Sequence, residues 1–256
     1  MKNACELMPK TQRSVNKQKA TSLTKLSFIC YQKVRARSFL LYNTTMEWYR
    51  KESWTQEDEK DFWDRFARTR QTSRAQYLKL QAATLLWMKT INKRMLDGAE
   101  KLLNLFLKDY NDRLFLTSVY LLMGRLFTFR KETSQALLYF QKAVEHEKEF
   151  PNSKSGSFLY YAEHIVKANA KNLFAEAEKL IFKHKHEIYV VWQEYVANAV
   201  LAIINKTKGD KEKARQYKQA AENAARTTHS GLSYHPTAGL LPERDKFFEK
   251  AMKKIK

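Results

Sequence analysis

Apolar side chains recur every three or four positions along most of the chain, which is the spacing of one face of an α-helix. The first such stretch is TQEDEKDFWDRFAR, where Phe62, Phe66 and the neighbouring Trp63 form an apolar stripe. Thr55 and Asp58 have the spacing of a capping box, and the acidic residues precede the arginines, as the helix dipole favours. The pattern predicts a helix that begins just after Thr55.

Eight further amphipathic stretches follow as four pairs, and a few polar residues separate the two members of each pair. The pairs cover residues 73–91 with 95–110, 113–129 with 131–151, 155–170 with 173–185, and 190–207 with 209–228. Only 6 glycines and 4 prolines occur in the chain, too few for the frequent turns of an all-β protein. We therefore predict an all-α protein in which short loops join antiparallel helices.

The second pair has a distinctive distribution of small and large side chains. Gly124 on its first helix and Ala136 on its second lie 12 residues apart, and Phe140 and Ala143 follow. Two antiparallel helices approach closely only where both carry small side chains, and the large neighbours fill the space to the next pair. Together with Tyr120, Met123 and Phe127, these residues make the pair resemble a tetratricopeptide repeat.

The fourth pair carries a similar motif. Ala202 and Ala214 are again 12 residues apart, Gly209 occupies the turn, and Ala221 stands where the second pair has Ala143. The small residues of the four second helices are spaced by 37, 41 and 37 positions, against about 34 in the family. These residues are Ala99, Ala136, Ala177 and Ala214.

The first and third pairs depart from the motif, because Trp87 and Ile165 replace the small residue of the first helix. The resemblance extends over about residues 74–227. It implies a right-handed α-solenoid of about four antiparallel helix pairs, with flanking N- and C-terminal helices. A generic α-helical repeat is the alternative.

The resemblance also implies a concave groove, lined by the first helix of each pair, that binds a protein or peptide. No clamp for chaperone C-termini is expected, because Thr84, Met88, Leu122, Leu159 and Glu163 occupy the positions where that part of the family has Lys, Arg and Asn. The alternative interpretation is that many of the predicted groove side chains are buried between the repeats. The predicted groove residues are Gln81, Thr84, Met88, Ser118, Leu121, Arg125, Thr128, Leu159, Val166, Asn169, Ile203 and Lys206.

The formal net charge of +20 favours acidic partners. Residues 205–256 hold 13 Lys or Arg against 6 acidic residues and are the best candidate for a basic patch that contacts RNA or DNA. The basic residues are nevertheless spread over most of the predicted helices, so an acidic protein or peptide is the preferred partner. An immunity or regulatory protein that caps a toxin or enzyme is a further alternative.

Residues 1–45 differ from the rest, with nine Lys or Arg and one acidic residue. A disordered basic arm, an organelle leader and an upstream extension before a start at Met46 all fit this composition. Both cysteines, Cys5 and Cys30, lie there, so no disulfide framework is indicated. We expect a cytoplasmic protein without a membrane-spanning segment, divided into this arm, a repeat domain over 46–229 and a terminal unit over 230–256.

The terminal unit begins with SGLSYHPTAGLL, which places Tyr234 beside His235 as candidates for a site. A helix is predicted to start at Pro242, present one apolar face and seal the end of the array, with Tyr234 and Leu240 packed beneath it. Phe248, Met252 and Ile255 form the predicted apolar face.

Catalytic and metal-binding patterns are missing from the sequence. The glycines are too scattered for a phosphate-binding loop, and no serine or cysteine has the context of a catalytic nucleophile. His184 and His186 are two positions apart, on different faces of a predicted helix, so they make a poor joint metal site. We therefore expect a non-enzymatic binding scaffold without a cofactor.

Overall fold

The computed structural model describes residues 47–231 and 233–255. These residues form α-helices and contain no β-strand, so the predicted all-α class is confirmed. In chain order the α-helices are α1 (Gln56–Ala67), α2 (Gln71–Trp87), α3 (Lys93–Leu105), α4 (Arg113–Phe129), α5 (Thr133–Glu149), α6 (Ser157–Lys167), α7 (Phe174–Lys183), α8 (Val191–Lys208), α9 (Lys211–Arg226) and α10 (Lys246–Met252). The hypotheses about the arm over residues 1–45 and a start at Met46 concern residues outside the described ranges.

Helix α1 forms as its sequence predicts. The Thr55 side chain accepts a hydrogen bond from the backbone N–H of Asp58, and the Asp58 carboxylate accepts one from the N–H of Thr55, which completes the capping box. Phe62 and Phe66 are buried, and Trp54 packs edge-on against Phe62. The preceding residues therefore belong to the same core as the helix.

The predicted pairs correspond to α2 with α3, α4 with α5, α6 with α7, and α8 with α9, and the two members of each pair pack together. The first helices also pack in succession, α2 on α4, α4 on α6, and α6 on α8. Two clusters of buried apolar side chains form the core, and Tyr120 and Phe127 of α4 pack against both. One continuous interior thus extends along the pairs.

Small residues lie at the helix contacts that the sequence indicated. Ala99, Ala136, Ala177 and Ala214 are fully buried. A Cβ atom on Gly124 would lie 2.7 Å from Cε1 of the Phe140 ring, closer than atoms pack, so this glycine permits the approach of α4 to α5. The buried alanines and this contact give the motif a physical basis in the second pair.

The third pair is shorter than its neighbours, with 11 residues in α6 and 10 in α7. Two residues after the end of α6, Asn169 adopts the left-handed conformation, with φ of 53°. A 3-10 turn, Lys171–Leu173, then leads into α7, and a second one, Lys185–Glu187, follows it. A further irregularity is the π-helical turn Phe106–Tyr110 that extends α3.

The predicted start of the terminal helix at Pro242 is wrong, because α10 begins at Lys246. The Asp245 carboxylate accepts hydrogen bonds from the backbone N–H groups of Phe247 and Phe248 and therefore sets the start of the helix. The apolar face is confirmed, since Phe248, Met252 and Ile255 are all buried.

The C-terminal segment packs on three of the preceding helices. The Gly239 carbonyl accepts a hydrogen bond from the N–H of Trp192 in α8 at 3.0 Å. Asp245 forms an ion pair with Lys167 of α6 at 2.7 Å, and the Ile255 carbonyl accepts a hydrogen bond from Lys218 of α9 at 2.7 Å. These bonds bring residues far apart in the sequence into one tertiary unit.

Candidate functional site

We call the surface formed by α2, α4, α6 and α8 the first-helix face, because each of these helices is the first member of its pair. Most of the predicted groove residues lie on it at different depths. Thr128, Asn169 and Lys206 are exposed, and Thr84, Met88, Ser118, Arg125 and Ile203 are half-buried.

Four predicted groove residues lie in the interior instead, namely Gln81, Leu121, Leu159 and Val166. The Gln81 amide accepts a hydrogen bond from the N–H of Lys51 and donates one to the Lys51 carbonyl, each at 2.8 Å, so it fixes the segment before α1. A partner on the surface would not reach these side chains, and their prediction as groove contacts is corrected to a packing role.

Arg125 has the most ordered environment of the predicted groove residues. Its guanidinium carbon lies 3.8 Å from the centroid of the Trp87 ring and 4.9 Å from that of Phe129. Its Nε donates a hydrogen bond to the carbonyl of Leu86 at 2.8 Å. The cation therefore contacts Trp87 of α2 and Phe129 of its own helix, at distances favourable for cation–π attraction.

Near Arg125 in the sequence, Thr128 of the first-helix face contacts residues that lie deeper in the fold. The Thr128 hydroxyl donates a hydrogen bond to the Gly124 carbonyl and lies 3.5 Å from Nδ1 of His164 in α6. The His164 ring packs on Phe140, and burial lowers the pKa of this histidine. It is therefore neutral at pH 7 and contributes packing rather than charge.

The face ends in an aromatic pair at the other end of the array. The Tyr160 and Trp192 rings lie 5.9 Å apart and join the beginning of α6 to the beginning of α8. Trp192 is itself buried, and its backbone N–H donates a hydrogen bond to the Gly239 carbonyl. The C-terminal segment thus covers this end of the first-helix face.

Tyr234 and His235 are not brought together with other candidate residues. The Tyr234 side chain is 92% exposed, so the prediction that it packs beneath the terminal helix is wrong. The Ser230 hydroxyl donates a hydrogen bond to the His235 carbonyl at 2.6 Å, which closes the loop through the backbone. Both side chains are exposed.

The structure also brings together charged residues that the sequence did not connect. Helix α7 ends at Lys183, and His184 and His186 both approach Glu187, at 3.1 and 3.5 Å. Lys154, in the loop before α6, forms an ion pair with the same carboxylate at 2.8 Å. Sequence spacing placed the two histidines on one helix. It gave no signal for the contact between Lys154 and Glu187, which are 33 residues apart.

Within residues 47–231 and 233–255, no three His, Cys, Asp or Glu side chains are placed to hold a metal ion. Along the same residues, no helix has both the length and the apolar character needed to cross a membrane. No family model matches the sequence, and neither a curated protein nor a solved structure is significantly similar to it.

Proposed function

We propose that the protein is a non-enzymatic scaffold that binds a segment of another protein or a peptide on the first-helix face. In this proposal the four helix pairs form a right-handed α-solenoid of the tetratricopeptide kind. The succession of packed first helices and the buried alanine in each second helix support this arrangement.

The stacked Arg125 is the observation that carries the proposal. A guanidinium that contacts both Trp87 and Phe129 and is hydrogen-bonded to the Leu86 carbonyl has little rotamer freedom left to lose when a carboxylate binds. Arginine also suits carboxylates because its planar group offers several donors at once. The partner segment is therefore expected to carry acidic side chains, and the net charge of +20 attracts such a segment over a longer range.

The test selects peptides from a displayed library against the full chain and measures their binding by fluorescence anisotropy. We expect the selected peptides to be rich in Asp and Glu, and Arg125→Glu to weaken their binding by about tenfold or more. Arg125→Lys should bind with intermediate affinity, because it keeps the charge but loses the planar stack. Lys206→Glu should weaken binding if the partner extends to the end of α8.

Lys179→Glu is the matched control, because Lys179 is an exposed cation on α7, a second helix. Its variant should bind within about twofold of the wild type, since exposed charges away from the contact have small effects. The proposal fails if no peptide is selected or if Arg125→Glu binds as well as Lys179→Glu. Tight binding of single-stranded RNA with a steep salt dependence, unchanged in Arg125→Glu, would support the nucleic-acid alternative instead.

A further inference from the structure

A cleft of about 210 Å³ opens between the ends of α5 and α7 and the beginning of α6, and Arg125 is not among the residues that line it. Its apolar wall consists of Val144, Pro151 and Phe158, and the His184 ring stacks on Phe158 with the ring centroids 4.9 Å apart. Lys148 and Lys183 lie at its edge, on α5 and α7. Val144 and Phe158 are only 5% and 2% exposed, so the accessible apolar surface of the cleft comes from Pro151 and the His184 ring, next to two cations.

Both carboxylates of the cleft are already satisfied by the protein. Glu147 accepts hydrogen bonds from the N–H groups of Gly156 and Ser157, at 3.3 and 3.1 Å, and from the Ser157 hydroxyl. Glu187 is only 9% exposed, and Lys154 and His184 donate to it. Burial raises the pKa of Glu187, but these hydrogen bonds outweigh it and leave the pKa lowered, so the carboxylate is ionised at neutral pH.

The remaining cations determine the charge that the cleft accepts. Lys154 is engaged by Glu187, whereas Lys148 and Lys183 have no carboxylate within ion-pairing distance among the described residues. Counting three lysines against two glutamates, these five side chains leave an excess of one positive charge. A ligand with one negative charge neutralises this excess, and a ligand with an apolar body covers the wall.

We propose that this cleft binds a small monoanion in which a flat apolar group is joined to a carboxylate. The apolar group lies against Pro151 and the His184 ring, and the carboxylate lies between Lys148 and Lys183. Either a free aromatic acid or the C-terminal residue of a peptide supplies this chemistry. No residue that lines the cleft belongs to the proposed scaffold contact at Arg125, so this proposal does not depend on that one.

The test titrates the isotopically labelled full chain with phenylacetate, N-acetylphenylalanine and the neutral phenylacetamide, and follows the backbone amide signals. We expect saturable shifts at residues 147–158 and 183–187, with millimolar affinity because the ligands are small. Phenylacetamide should bind at least about tenfold more weakly, since it cannot pair with the lysines. Tighter binding of N-acetylphenylalanine assigns the site to a peptide C-terminus, and tighter binding of phenylacetate assigns it to a free acid.

The double variant Lys148→Met, Lys183→Met should lose about tenfold in affinity for the acids while its other amide signals stay in place. Lys179→Met is the matched control, because it removes an exposed lysine of α7 that does not line the cleft. The proposal is overturned if the acids cause no saturable shift, if phenylacetamide binds equally well, or if the double variant binds like the control. Arg125→Glu should leave these affinities unchanged, which separates this test from that of the first-helix face.

Discussion

At the scale of single residues, the fold opposes the ionisation of Lys79. Its ammonium lies 4.2 Å from the centroid of the Phe115 ring, and burial together with nearby Arg50 lowers its pKa from 10.5 to about 8. Because the unfolded chain keeps the higher pKa, it binds more protons between these two values. This linkage makes stability rise as the pH rises from about 8 towards 10.5.

Lys79→Met should therefore raise the free energy of unfolding at pH 7. Removing the buried charge stabilises the fold by more than the loss of its attraction to Phe115 destabilises it. Solvent screening weakens the effect of the charge, so we expect a net gain of about 1 kcal/mol. The gain should shrink towards pH 10, where lysine is neutral in the fold. Urea unfolding at both pH values measures it, with the exposed Lys89→Met as control. Destabilisation by Lys79→Met at pH 7 would contradict this account.

Residues on helical stripes were predictable, whereas residues that act through distant partners were not. Phe62 and Phe66 follow from apolar spacing alone, and both are buried. Spacing also placed Arg125 on the first helix of its pair, but its hydrogen bond to Leu86, 39 residues away, has no local signature. Gln81 was predicted to face solvent, because it is a polar residue on the first helix of its pair. It is buried instead, because the chain segment at Lys51 covers it and bonds to its amide.

At the scale of helices, the contact between α4 and α5 depends on Gly124. Gly124→Ala should destabilise the protein by about 2 kcal/mol, because the new methyl group pushes the Phe140 ring out of its position. The double variant Gly124→Ala, Phe140→Leu should recover part of this loss. Urea unfolding of the wild type, the two single variants and the double variant measures the coupling energy between the two changes.

Gly209→Ala is the comparison for this prediction. Gly209 has a φ of 86°, and a Cβ atom there would meet no other atom within 4 Å, so its alanine variant loses about 1 kcal/mol through backbone conformation alone. Phe140→Leu should not alter that loss. If Gly124→Ala and Phe140→Leu have strictly additive effects, the close contact does not govern the packing of this pair.

The positions of the helices along the sequence were more predictable than their ends. Amphipathic spacing and short polar breaks located all eight paired helices, because those signals lie within each segment. The end near Asp245 was misplaced, since Pro242 is compatible with a helix start but the Asp245 carboxylate, paired with Lys167, provides the actual cap. The cleft beside α7 was missed altogether, because it depends on how α5, α6 and α7 meet.

At the scale of the whole molecule, the C-terminal segment is part of the same interior as the helix pairs. Phe248 is fully buried and packs edge-on against Tyr195 of α8, with the ring centroids 6.1 Å apart. Its neighbour Phe247 is 38% exposed. Adjacent phenylalanines with different burial therefore offer a matched test of whether α10 unfolds together with the array.

Phe248→Ala should lower the free energy of unfolding by about 3 to 4 kcal/mol, the usual loss for a buried phenylalanine, whereas Phe247→Ala should lower it by less than about 1 kcal/mol. Guanidinium unfolding followed by both circular dichroism and tryptophan fluorescence distinguishes the possibilities. In a single cooperative unit the two signals shift together in Phe248→Ala, because four of the five tryptophans lie between residues 48 and 87 and report the unfolding of the part of the fold that is far from α10 in the sequence. An unchanged main transition would mean instead that α10 detaches first and leaves the end of the first-helix face open to a partner.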